Sequence, residues 1–217
     1  MINSVTNGVL RTIVGTLQTP VVLVLLIMLV LTIIMAGSFA VEFFTERKLL
    51  TENIPKLIEK INTARLDEVK DIIKESHILN RQKAAINKLI DADDMDDATR
   101  ESYAAQLLFD EEEHYRKYLR HAETLLKLGP MFGLLGTLIP LGPGLIALGK
   151  GNTQALSESL LVAFDTTSLG VIISAIAFVI YQLRKSWYNR YSVGLESIME
   201  TIINKQKEGS SNNDQEQ

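Results

Sequence analysis

The chain has 217 residues, a formal net charge of -4, no cysteine, and 22% charged residues. Without cysteine there is neither a disulfide framework nor a thiolate metal site, and the mildly acidic balance argues against a general nucleic-acid binder. The charge is strongly segregated: Val21 to Val41 and Leu128 to Gly149 carry none, and between Glu158 and Arg184 the one charged residue is Asp165.

A helix needs about 20 mainly apolar residues to cross a bilayer. Three transmembrane helices are therefore expected, at 21–44, 129–149 and 159–183, in an all-α integral membrane protein. Residues 1–20 precede the first span. Ala36, Ser38 and Ala40 offer the small residues of a signal-cleavage site, but the apolar run exceeds the roughly 7–15 residues of a signal h-region, so the segment reads as an uncleaved span. Positive residues close to the spans set orientation. Arg47, Lys48, Arg116, Lys117, Arg120, Lys127, Arg184, Lys185 and Arg190 fall on one side, Arg11 and Lys150 on the other. The N-terminus is thus expected outside, 45–128 as a cytoplasmic helical domain, 150–158 as an outer loop, and 184–217 as a cytoplasmic helix and tail.

Within the cytoplasmic domain, Leu66, Val69, Ile72, Ile73, Leu79, Ile86 and Leu89 recur at near-helical spacing, predicting one helix from Leu66 to Ile90. "DADDMDD" interrupts it. A second helix is predicted from about Ala98 to Leu128, running into the second span with a bend at Gly129-Pro130, because proline lacks the backbone donor and kinks helices. Pro130 and Pro140 are the expected kink positions. From Glu208, "EGSSNNDQEQ" is polar enough to be expected disordered.

Three motif readings fail on chemistry. Counted from Asp91, the acidic run puts Asp96 and Ser102 where a calcium loop needs Gly and Glu, so it reads as a turn capping the next helix. "GLIALGKG" (Gly144 to Gly151) ends on Gly where a phosphate-binding loop needs Ser or Thr, and no strand precedes it. His114 and His121 are seven apart, not the four of a paired helical metal site. No metal, cofactor or nucleic acid is expected, and no nucleophile–base set or nucleotide loop points to an enzyme.

The second span carries Gly133 and Gly136 among six glycines, and the third carries Thr166, Gly170 and Ser174 every four residues. Small residues allow close helix approach in membranes, so both spans are expected to be buried among helices. Packing alone does not account for Thr137, Thr167 and Asp165. A charge at membrane depth marks a functional site by default.

"GPMFGLLGTLIPL" (129–141) followed by "SLLVAFDTTSLGVIISAIAFVIYQ" (159–182) resembles the MotA/TolQ/ExbB proton-channel family, in its three-span TolQ/ExbB-like form. The matching elements are Gly133-Leu134-Leu135-Gly136-Thr137 and Thr167-Ser168-Leu169-Gly170. The resemblance implies a homopentamer around a central pore. It implies a single-span partner of the ExbD/TolR/MotB type carrying a membrane aspartate, and an inner-membrane location in a prokaryote. It also implies passage of protons, or of sodium ions, coupled to mechanical work, with Thr137 and Thr167 lining the path. Many members place an acid about a turn and a half before the third-span threonine, where this chain has Val162. Asp165 instead points about 200° around the helix from Thr167. Either Asp165 lies at the interface with span one or a neighbouring subunit, or Thr166 is nearer the path; the working expectation is an auxiliary proton site near the outer mouth. The alternative function is a non-conducting membrane scaffold, which would not need Thr137, Asp165 and Thr167. A secondary transporter would be expected to show an internal repeat, which three spans do not provide.

Overall fold

A computed structural model describes residues 13, 15–46, 53–92 and 95–215. Arg11, Arg47 and Lys48, which entered the orientation argument, and Asp93 and Asp94 of the acidic run lie outside the described residues. Those described contain six helices and no strand: α1 Gln18–Glu46, α2 Ile54–Thr63, α3 Leu66–Glu75, α4 Asn80–Ile90, α5 Asp97–Gly149 and α6 Thr153–Gln215. Three of them, α1, α5 and α6, are long and apolar enough to cross a membrane. The chain divides into two compact units, one built from residues up to Ala40 with Leu119–Leu183, the other from Val41–Tyr118 with Arg184 onward.

The first unit is a three-helix assembly. Val21, Leu25, Met28 and Met35 of α1 pack with Ala122, Leu125 and Ile139 of α5 and with Ile173, Ala177 and Ile180 of α6. Thr32 is fully buried here at no cost in unsatisfied polarity, because its hydroxyl donates to the Met28 carbonyl four residues back at 2.8 Å. The faces turned away from this core are apolar as well: Ile34, Met131, Leu145 and Phe164 are all more than 60% exposed. Patches of that kind call for lipid or protein cover. The turn joining α5 to α6 relies on Gly151, whose φ of 79° is left-handed, a conformation glycine adopts without steric penalty. Asn152 then caps α6 by accepting from the Ala155 amide at 3.1 Å.

The second unit has its own core, in which Leu57, Ile61, Val69, Ile73, Ile86 and Leu89 of the short helices meet Leu107 of α5 and Leu195, Ile198 and Ile202 of α6. The sequence reading of a single helix from Leu66 to Ile90 does not hold. Ser76 ends α3, its hydroxyl bonding back to the Ile73 carbonyl at 2.6 Å, and Gln82 caps the start of α4 through the Leu79 amide at 3.3 Å. Serine side chains compete for backbone groups in this way and favour helix ends. The bend lets both Ile73 and Ile86 reach one core. The helix α2 was not anticipated; its signals are local, an Asn53 cap accepting from the Lys56 amide and Pro55 in the first turn. At the other end of the chain, α6 continues to Gln215, through the segment expected to be disordered. Extending an existing helix avoids the nucleation cost, which falls on the first turn.

Candidate functional site

The long helices α5 and α6 run antiparallel after their tight turn, and small residues fix how closely they approach. A Cβ on Gly170 would sit 2.5 Å from the Gly129 carbonyl oxygen, one on Gly129 would lie 2.7 Å from the Gly170 carbonyl oxygen, and one on Gly136 would lie 2.6 Å from the Thr166 Cβ. Gly133 lies against Gly170 in the same stripe. The two helix backbones are therefore in direct contact, which any larger side chain at these positions would prevent.

Hydroxyl groups bind this contact together. Pro130 has no N–H, so the Leu126 carbonyl loses its regular helical donor. Ser174 of α6 supplies a replacement, donating to that oxygen at 2.9 Å. Sequence reasoning placed Ser174 in a packing stripe and missed this second role; the signal was a proline in one span facing a serine in the other. Despite Pro130, Pro140 and Pro143, α5 is one helix from Asp97 to Gly149.

Thr167 donates to the Gly133 carbonyl at 3.4 Å. Thr137 follows Gly133 by one helical turn and bonds its own Leu134 carbonyl at 2.6 Å. Both threonines thus flank one edge of the α5–α6 contact. This edge faces away from α1, which is met instead by Phe132 and Ile139 of α5 and by Leu169 and Ile173 of α6. Each threonine is half-buried and partly accessible. A hydroxyl can donate and accept at once, so the pair can hold a water or pass a proton without the cost of a buried charge.

Thr166 does not share that edge. It is buried, its hydroxyl bonds the Val162 and Ala163 carbonyls at 2.9 and 3.0 Å, and its side chain fills the space opposite Gly136. Asp165 is exposed on the far flank of α6, and among the described residues it has no hydrogen-bond or ion-pair partner. The structure therefore separates the polar cluster that looked contiguous in sequence into three surfaces: Thr166 inside, Thr137 with Thr167 on one edge, and Asp165 on the opposite flank.

In the second unit, the Glu42 carboxylate accepts from Arg184 at 2.8 Å and from the Tyr188 hydroxyl at 2.9 Å, and Tyr115 stacks on Tyr188 with centroids 4.7 Å apart. The sequence reading counted Arg184 only as an orientation charge. His114 lies beside Tyr115 and Tyr118, and burial, then the nearby Arg81, lower its pKa. His121 is exposed on the next turns of α5. Asp96 caps α5 through the Thr99 amide at 3.2 Å. Among the described residues, no three His, Asp or Glu side chains come together as a metal site.

The family model of the MotA/TolQ/ExbB proton channel family matches residues 55–197. The comparison with curated proteins returned no match. The family's members are proton-channel-type membrane subunits of energy-transducing complexes and work with single-span partner subunits. With three membrane-length helices, a hairpin of directly apposed spans and a match across most of its length, this chain belongs to the MotA/TolQ/ExbB proton channel family.

Proposed function

We propose that this chain is the ion-conducting subunit of a force-transducing complex. Five copies form a ring in the inner membrane of a prokaryote, N-termini outside, around single-span partners that each present a membrane aspartate. Protons, or sodium ions, pass that aspartate along the edge bearing Thr137 and Thr167. One charge crossing the membrane potential releases about 2.3 kcal/mol per 100 mV, and the ring converts this into movement of the partner. Thr166 and Asp165 lie off this edge, so the reading gives neither the transport step.

The observation that carries the proposal is the placement of Thr137 and Thr167 on one edge of the hairpin, away from α1. A scaffold would need the glycine contact but not two accessible hydroxyls on a shared edge. Native mass spectrometry of the complex, extracted gently from its own membrane, tests the assembly. Five copies with two copies of a single-span protein are expected. A monomer, or a complex lacking any single-span protein, would favour the scaffold.

A further inference from the structure

Two unexplained features of the first unit lie at the same depth. One is a stripe on α6: Glu158, Leu161, Asp165 and Ile172 recur at helical spacing, and all four are exposed. They point away from α5, which is met by Thr166, Gly170 and Ser174. The other is a cleft of about 1030 Å³ on α5, lined by Gly15, Leu138, Gly142, Pro143, Ile146 and Lys150. Among the described residues nothing fills it, and a Cβ added to Gly142 would meet none of their atoms within 4 Å.

The two surfaces complement each other chemically. A carboxyl group at membrane depth finds no partner in lipid. The cleft offers one, because Pro143 removes the regular helical donor of the Ile139 carbonyl, and Ile139 lines the cleft. At the turn end of the cleft stands Lys150, which has no ion-pair partner among the described residues. The α6 stripe carries Glu158 toward that same end.

Their register is fixed by contacts within the hairpin. Gly136 lies against Thr166 and Gly144 against Ser159. Asp165 is thus level with residues 137–138 of α5, and Glu158 with Leu145. Side chains tilt toward a helix N-terminus, which for α6 is the turn end, so the Asp165 carboxyl leans to the height of the Ile139 carbonyl. Copies related by rotation about the membrane normal keep equal depth.

We propose that the α6 stripe of one copy docks into the α5 cleft of the next, with the Asp165 carboxyl group donating to the Ile139 carbonyl freed by Pro143 and Glu158 pairing with Lys150. The occupant of the cleft is a second copy of this chain. The proposal rests on the ring of copies described above, and it assigns which faces meet.

The chain contains no cysteine, so pairs of single-cysteine variants report contacts directly. Two tagged forms, D165C and L138C, are co-expressed and oxidised mildly in the native membrane. A disulfide requires Cβ atoms about 3.5–4.5 Å apart, so a covalent heterodimer is expected, several-fold above that from T167C with L138C. In parallel, native mass spectrometry reads copy number. D165N, which retains a donor, keeps the assembly, whereas D165L loses it. E158K and K150E each weaken assembly, and the double exchange restores it. Intact rings without the 165–138 cross-link, or D165N failing as D165L does, would overturn this docking while leaving the ring reading in place. A wild-type chain that never assembles would overturn both.

Discussion

Replacing Gly170 by alanine tests the hairpin contact most sharply. The new Cβ would stand 2.5 Å from the Gly129 carbonyl oxygen and 2.9 Å from the Gly133 Cα, both backbone atoms that cannot swing aside. Carbon–oxygen contacts of this kind settle at about 3.3–3.6 Å, so the helices must part by roughly an ångström. A gap of about 0.5–1 Å forfeits a quarter to a half of each dispersion contact along the interface. Overpacking of this type costs about 1–3 kcal/mol, and the better helix propensity of alanine returns at most about 1 kcal/mol. The parting would also stretch the Ser174 and Thr167 bonds across the interface. A net loss of about 1–2 kcal/mol is expected, read as a lowered unfolding midpoint in detergent. Gly37→Ala is the control, since a Cβ there meets nothing within 4 Å among the described residues; it should be neutral or slightly stabilising. If Gly170→Ala were as stable as Gly37→Ala, direct backbone apposition of α5 and α6 would be wrong.

Other consequences follow from single contacts. Ser174→Ala should destabilise by about 0.6 kcal/mol, with an upper bound near 1.7, and the loss should shrink in a Pro130→Ala background, where residue 130 regains an N–H for the Leu126 carbonyl; a double-mutant cycle measures the coupling. Glu42→Ala strips Arg184 and Tyr188 of a shared carboxylate, and breaking a pair this buried costs on the order of 3 kcal/mol, seen as increased protease sensitivity of the second unit. His114 titrates below its ordinary 6.5 because of burial and Arg81. Its neutral form is therefore favoured in the folded state, and its contribution is full above pH 6.5 and lost as the pH falls toward the lower folded value. His114→Gln should flatten the loss of stability on acidification below pH 6.5, measured by denaturation at a series of pH values.

Much of the fold is legible in the sequence because the membrane imposes a length and composition that few other structures share. The three apolar stretches, two of them uncharged and the third carrying Asp165 alone, become the apolar parts of α1, α5 and α6, and the continuity of α5 into the apolar stretch follows from the absence of any break before Gly129. The glycines of the second span predict close approach, and the contacts at Gly129, Gly133 and Gly136 are of that kind. What escapes is whatever depends on a partner distant in sequence. The break at Ser76 is invisible to periodicity, since Ile73 and Ile86 suit one long helix as well as two short ones. Ser174 looks like a small residue until Pro130 is placed opposite it. Thr166 and Thr167 are adjacent in sequence, yet about 100° of helix rotation puts one inside the contact and the other on its edge.

The most direct test of the central claim is ion flux through the purified complex, reconstituted with its partner in vesicles under a set membrane potential. Thr137→Val and Thr167→Val preserve shape and remove one hydroxyl each. With assembly intact, each should reduce flux about tenfold, the equivalent of one hydrogen bond of roughly 1.4 kcal/mol to a passing proton or water. Flux unchanged in both variants would contradict the assignment of that edge as the ion path.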